Sequence, residues 1–144
     1  MIPKFTMTGS PEAHARRAIL APLVRFNETM AGRPEDHQHL VILMSDPDSG
    51  GVLGGLWGET MFGHLHVDLL FIPGSTRRAG IGRRLMMDAE AEAIRRGCRG
   101  SWLDTYSFQA RGFYEKLGYT VFGTIEDFPP GHSRFFLRKT LSPQ

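Results

Sequence analysis

The chain has 144 residues and carries 17 Lys+Arg against 15 Asp+Glu, enough for one compact domain and too short for two with separate cores. Its 41% hydrophobic and 22% charged residues exclude a disordered or fibrous chain, and a net charge of +2 is too mild to imply a nucleic-acid or anionic-membrane partner. The single cysteine, Cys98, cannot close an internal disulfide, which suits the cytoplasm. Neither a membrane-spanning run nor the apolar core of a secretion signal is present.

Residues 1–8, with Ile2, Phe5 and Met7, predict a short strand closed by Gly9-Ser10-Pro11. Ser10 as N-cap and Pro11 as first helical residue then start a helix. Its Ala15, Ala18, Ile19, Leu23, Phe26 and Met30 recur at three- and four-residue spacing, giving one apolar face up to Gly32. Pro22 removes a backbone hydrogen bond inside that pattern, so a kink or a break into two helices is expected there. The apolar run 39–45 (HLVILMS) predicts a buried strand, and DPDSGG after it a turn. Two more strands, 52–60 and 64–72, join through a turn at Phe62-Gly63 to complete an antiparallel meander.

After Pro73-Gly74-Ser75-Thr76 the period becomes helical, with Ile81, Leu85, Met86, Ala89 and Ala93 on one face. Arg84 with Asp88, and Glu92 with Arg96, pair four apart on the wet side. Gly97 ends this helix. Residues 101–105 predict a strand, Ala110, Phe113, Tyr114 and Leu117 a short helix stopped by Gly118, and 119–125 with 133–139 two closing strands around EDFPPGH. The architecture is mixed α/β (α+β). A right-handed crossover makes the strands 64–72 and 101–105 parallel.

The segment from Ile72 to Arg84 joins a strand end to the first turn of a helix, which is an anion site by geometry. Unpaired N–H groups and the helix dipole supply positive potential, and Gly80 and Gly82 let a phosphate approach the backbone. Arg77, Arg78, Arg83 and Arg84 flank the turn. The spacing matches neither a dinucleotide fingerprint nor a Gly-Lys-Ser/Thr phosphate loop. Two glycines before a helix equally suit a plain tight turn with a solvated arginine face.

A second cluster follows about thirty residues later. Arg77-x-x-Gly80-x-Gly82 at a helix head, then A-x-x-F-Y-E-K-L-G-Y from Ala110 to Tyr119, resembles the two signature motifs of the GNAT superfamily of acetyl-CoA-dependent N-acetyltransferases, and the order of elements resembles that family over nearly the whole chain. The resemblance implies one domain over residues 1–144, with a mostly antiparallel sheet, a central splayed parallel strand pair and flanking helices. It further implies that acetyl-CoA is the acetyl donor, its pyrophosphate held by Arg77, Arg78, Ala79, Gly80, Ile81, Gly82 and Arg83. Leu70, Phe71 and Ile72 would present backbone groups to the pantetheine arm, one N–H polarising the acetyl carbonyl. Ser107 stands where the family often has Asn, and its hydroxyl can still bond the pantetheine. Tyr114 matches the family's general acid, which protonates the departing thiolate.

The attacking amine must be neutral, so its proton needs an acceptor. Asp68 is a carboxylate in an apolar strand, on the same face as Leu70 and Ile72 by strict alternation. Burial there would raise its pKa toward that of a useful base; a structural hydrogen bond is the competing explanation. Asn27 and Glu28 at the end of the first helix, Glu59 on the second strand of the meander, and Glu126, Asp127 and His132 in the Pro-stiffened loop are candidate acceptor contacts, and His132 is a second candidate proton acceptor. His37 with His39, and His64 with His66, alternate along strands, but no Cys or carboxylate cluster completes a metal site, so no metal is expected. Trp57 and Trp102 read as packing residues and Cys98 as a small buried one.

Together these features predict direct acetyl transfer to a primary amine of a small molecule. The alternatives are a protein or other macromolecular amine, a non-catalytic acyl-CoA-binding module, and nucleic-acid binding by the arginine cluster. No nucleic acid or membrane partner is expected; the family resemblance allows a homodimer.

Overall fold

The computed structural model describes residues 1–76 and 80–142, and the chain divides into two compact units, Met1–Glu35 and Asp36–Gln144. The first unit holds one helix, α1 (Ala13–Ala31). The strand predicted over residues 1–8 is absent: Ile2, Phe5 and Met7 are exposed, and this unit offers no second strand to bond with. Ser10 donates its own N–H to the Thr8 hydroxyl at 3.0 Å, and the helix begins later, after an extended Glu12. Pro22 does not break it, since α1 runs through that residue for its full 19 residues. A proline removes one N–H, and the turns on either side supply enough bonds to carry the helix past it. Gly32 ends α1 in the left-handed conformation (φ 70°), its N–H reaching the Glu28 carbonyl at 3.0 Å.

The second unit is a six-stranded sheet with two helices. The strands are β1 (Gln38–Ser45), β2 (Val52–Met61), β3 (His64–Phe71), β4 (Gly100–Tyr106), β5 (Thr120–Glu126) and β6 (Ser133–Thr140), ordered β1-β2-β3-β4-β6-β5. Helix α2 (Ile81–Arg95) joins β3 to β4, and α3 (Arg111–Lys116) lies between β4 and β5. All pairings are antiparallel except β3 with β4, as the crossover requires. The β2–β3 hairpin turns on Phe62 and Gly63, both at positive φ (48° and 72°), the conformation that two-residue hairpin loops favour.

The core follows the two periodicities. Leu85, Met86, Ala89 and Ala93 bury one stripe of α2, and Leu56, Leu65, Val67, Leu103 and Leu137 the facing side of the sheet. Edge strand β1 is less covered than its composition suggests, with Leu40 alone buried. Both predicted ion pairs of α2 form, Arg84–Asp88 at 3.7 Å and Arg96–Glu92 at 2.8 Å, and Arg96 also donates to the His39 carbonyl and Thr60 hydroxyl. Buried Glu90 accepts from Tyr119 at 3.0 Å and Lys139 at 2.6 Å, while Tyr119 bonds Ser101 at 2.8 Å. This network ties α2 to β4 and β6 and satisfies a carboxylate that would be costly to bury alone. Among the described residues no helix is long and apolar enough to cross a membrane.

Candidate active site

The parallel strands stay together for only four residue pairs, His64–Gly100 through Val67–Leu103. Beyond them β3 pairs with β2 alone, and Asp104, Thr105 and Tyr106 pair with β6 alone. The inner edges part where a β-bulge interrupts β3: Trp57 opposes Leu69 and Gly58 opposes Val67, leaving Asp68 as the extra residue. A bulge bends its strand and increases local twist, so the cleft is written into β3.

The bulge also corrects the alternation argument for Asp68. Leu65 and Val67 are buried, and Leu70 and Ile72, an odd number of residues further on, pack against the same core. Asp68 itself is exposed, so the burial proposed to tune it does not occur. Leu70 and Phe71 lie on the parted stretch of β3 and Ile72 just beyond it, with Phe71 57% exposed.

Helix α2 starts at the mouth of this cleft. Gly80 is its N-cap in the left-handed conformation (φ 70°), and among the described residues no side chain caps its first N–H groups. Ile81 and Gly82 are half-buried and Arg83 is exposed. The predicted contacts Arg77, Arg78 and Ala79 lie outside the described residues. Gly82 has a second reason to be glycine: a Cβ there would meet the Phe113 ring at 3.2 Å and Ile72 Cγ1 at 3.7 Å. A glycine-led helix start beside an exposed arginine fits a pyrophosphate, and the parted edge of β3 fits an extended pantetheine.

Tyr114 lies on α3, 8% exposed, its ring edge-on to Phe113 at 5.1 Å and to Tyr119 at 6.2 Å. None of the described hydrogen bonds engages its hydroxyl. Burial, aided by the negative charge of Asp104, pushes its pKa up to about 12, so the phenol keeps its proton at neutral pH, as a general acid must. Ser107 sits just past β4, where it accepts the Ser133 N–H on Oγ at 3.0 Å and leaves its hydroxyl proton available to a ligand. Gln109, unnoticed in the sequence, closes the same turn by accepting from Tyr106 N–H at 2.7 Å and the Thr105 hydroxyl at 3.0 Å.

On the face of the sheet away from the core, Asp104 binds Arg134 at 2.6 Å, and that guanidinium lies within 5.4 Å of the ring centres of Tyr106, Phe128 and Phe136. Of the predicted acceptor contacts, Glu126, Asp127 and His132 are all exposed. The loop bends at Asp127 (φ 54°) and at a cis Phe128–Pro129 bond, and His132 packs edge-on against Phe108 at 5.0 Å. Asn27 and Glu28 belong to α1, where a Glu28 oxygen accepts the Glu35 N–H at 2.6 Å. Further along the outer face, Glu59 accepts from His37 at 2.8 Å and His66 stacks on Trp102 at 3.9 Å. The tight turn at Phe62-Gly63 already implies that Glu59 opposes His66; the neighbour across β3, Trp102, arrives only through the crossover. Two open hollows of about 410 Å³ each lie at the start of β4, lined in part by Cys98, Arg99 and Gly100, away from the cleft. Cys98 is buried, which raises its thiol pKa. The described residues hold no group of three His, Cys, Asp or Glu side chains placed around an ion.

Residues 10–119 match the model of the Acetyltransferase (GNAT) family. The chain is 44% identical over 141 residues to blasticidin-S acetyltransferase of Streptomyces morookaense, covering 97% of this chain and 98% of that one. It is 36% identical over 135 residues to an acetyltransferase of Agrobacterium fabrum, with coverage of 94% and 97%. Among solved structures, an acetyltransferase from Bacillus cereus superposes with a TM-score of 0.80 at 31% identity, covering 94% of this chain and 98% of that one.

Proposed function

Since the chain belongs to the GNAT family and is an acetyltransferase, we propose that it moves the acetyl group of acetyl-CoA directly to a primary amine of a small molecule, with no covalent enzyme intermediate. The observation that carries this reading is the parting of β3 and β4 after four pairs, which leaves a strand-shaped gap beside the glycine-led start of α2. Acetyl-CoA brings an activated thioester. Arg83 and the N–H groups of Ile81 and Gly82 hold its pyrophosphate, and Leu70, Phe71 and Ile72 hold its pantetheine arm with Ser107. A backbone N–H of that strand polarises the carbonyl, and Tyr114 gives its proton to the departing sulfur. Match of the family model to residues 10–119 supports taking the whole chain as one catalytic domain.

A relative at 44% identity whose name specifies blasticidin S supports a compact, cationic acceptor. The exposed Glu126 and Asp127 and the Asp104–Arg134 pair among aromatic rings supply charge and flat surface for such a molecule. We place the protein in the cytoplasm and read it as a homodimer. Likeness to the GNAT family supports the latter.

The test is a panel of amines, comprising blasticidin S, an aminoglycoside, a polyamine and a lysine-containing peptide, with thiol release from acetyl-CoA as the readout. Saturable acetylation of a small amine, with the peptide inert, is the expected result; preference for the peptide overturns the acceptor class. Arg83→Glu should weaken acetyl-CoA binding about tenfold, and unchanged affinity removes the pyrophosphate assignment. It is a cleaner probe than enlarging Gly82, which would collide with Phe113.

A further inference from the structure

A row of side chains crosses the sheet one residue before the strands part. His39 of β1 is the register partner of Glu59 on β2, Glu59 that of His66 on β3, and His66 that of Trp102 on β4. The His66 ring lies flat on Trp102, centroids 3.9 Å apart and planes within 10°. Its Nδ1 is 3.8 Å from Glu59 Oε1, and Glu59 Oε2 is 2.8 Å from His37 Nε2. Among the described residues, His66 Nε2 is the one buried side-chain nitrogen or oxygen with no hydrogen-bond partner. Leaving such an atom unpaired opposes folding, which makes it a place for a ligand to bond.

The carboxylate decides what that ligand must be. A negative oxygen facing Nδ1 favours the tautomer with its proton on Nδ1, which leaves the Nε2 lone pair as an acceptor. The hydrogen bond from His37 holds the Glu59 carboxyl below its usual range against the opposing effect of partial burial, so Glu59 stays charged beside the ring. The group that completes the site is therefore a donor, and the reaction delivers one: a primary amine arrives as an ammonium ion.

We propose that His66 is the catalytic base that takes this proton through Nε2, with Glu59 and His37 as positioning residues. The proposal deepens the acetyl-transfer reading above and rests on it. In the step, an ammonium N–H bond breaks, its electron pair stays on the nitrogen that will attack, and the proton moves to Nε2. The imidazolium, stabilised by Glu59, later returns that proton to solvent. Position favours His66 over exposed Asp68: His66 stands one residue before the last β3–β4 pair, with its acceptor nitrogen unpartnered among the described residues. The ionisable groups around it are His37 just before β1, His39 on β1, Glu59 on β2, His64 and Asp68 on β3, Asp104 on β4 (paired with Arg134), and Arg138 on β6 opposite Trp102.

The deciding measurement is kcat/KM against pH with saturating acetyl-CoA and the fastest amine of the panel above. His66→Gln should lower kcat/KM about 100-fold at neutral pH. The deficit should close as pH rises and the amine ionises unaided, with the KM for acetyl-CoA unchanged. Glu59→Gln removes the carboxylate that faces Nδ1 and should lower kcat/KM by less than His66→Gln does, with the KM for acetyl-CoA unchanged. Should His66→Gln fail to fold, His66→Phe keeps the stack on Trp102 and is held to the same expectation. A variant profile that superimposes on wild type, or falls equally at every pH, overturns the proposal. If the wild-type protein binds acetyl-CoA yet acetylates no amine of the panel, the acetyl-transfer reading fails first and the proposal with it. Normal wild-type turnover with an unaltered His66 variant removes only the base.

Discussion

The two halves of the β3–β4 pair have similar composition and opposite behaviour. From His64 to Val67 the strands bond in register, with Leu65, Val67 and Leu103 almost wholly buried; from Asp68 on, they separate, and Leu69 and Phe71 are 61% and 57% exposed. Hydrophobicity does not distinguish the halves. One inserted residue at the bulge does, and it turns a structural strand pair into a cleft.

The largest expected effect tests the closed half. Leu103→Ala should cost about 2–5 kcal/mol, because the methyl groups removed leave a cavity in a packed core. Phe71→Ala should change stability by less than about 0.5 kcal/mol while weakening acetyl-CoA binding. Urea denaturation and calorimetric titration of the two variants check the contrast, and equal stability losses would erase it.

Next comes the buried acid beside the cleft. Tyr114 has its pKa raised in the fold from 10 to about 12, so between those values the unfolded chain loses this proton while the folded one keeps it. The associated stability is present below pH 10 and is lost as pH climbs toward 12, amounting to at most about 3 kcal/mol. Tyr114→Phe should therefore flatten the alkaline fall in denaturation midpoint, and also slow turnover about tenfold. An alkaline fall identical to wild type would contradict the assignment.

The smallest effect is the most local. Removing Asp68 deletes the extra residue while leaving Leu70 and Ile72 on the core side with Val67. The variant should fold with a similar melting temperature and bind acetyl-CoA about tenfold more weakly, because a regular β3 no longer bends from β4. Unchanged affinity would mean that the splay does not depend on the bulge.

Much of this was legible in the residues. The helical stripe of α2, the two-residue turn at Phe62-Gly63 and the glycine-led turn before Ile81 are local patterns, and local patterns survive folding. The expected strand over residues 1–8 and the break at Pro22 failed for a different reason: a strand exists only if a partner is beside it, and one missing N–H does not end a helix. Asp68 was misjudged because alternation assumes a regular ladder, and a bulge shows only in the register between two strands. The role proposed for His66 was invisible for the same kind of reason, since its carboxylate and its stacking partner come from different strands.

The sequence by itself determined the family, the element order from β1 onward, the parallel crossover and the two motifs that carry the family resemblance, because each is carried by residues adjacent or periodic along the chain. Only the tertiary structure decided where β3 leaves β4, that Asp68 faces solvent, that Tyr114 is buried enough to keep its proton, and that His66 meets Glu59 and Trp102. Those outcomes depend on pairing register and on exclusion of water, which arise between segments distant in sequence.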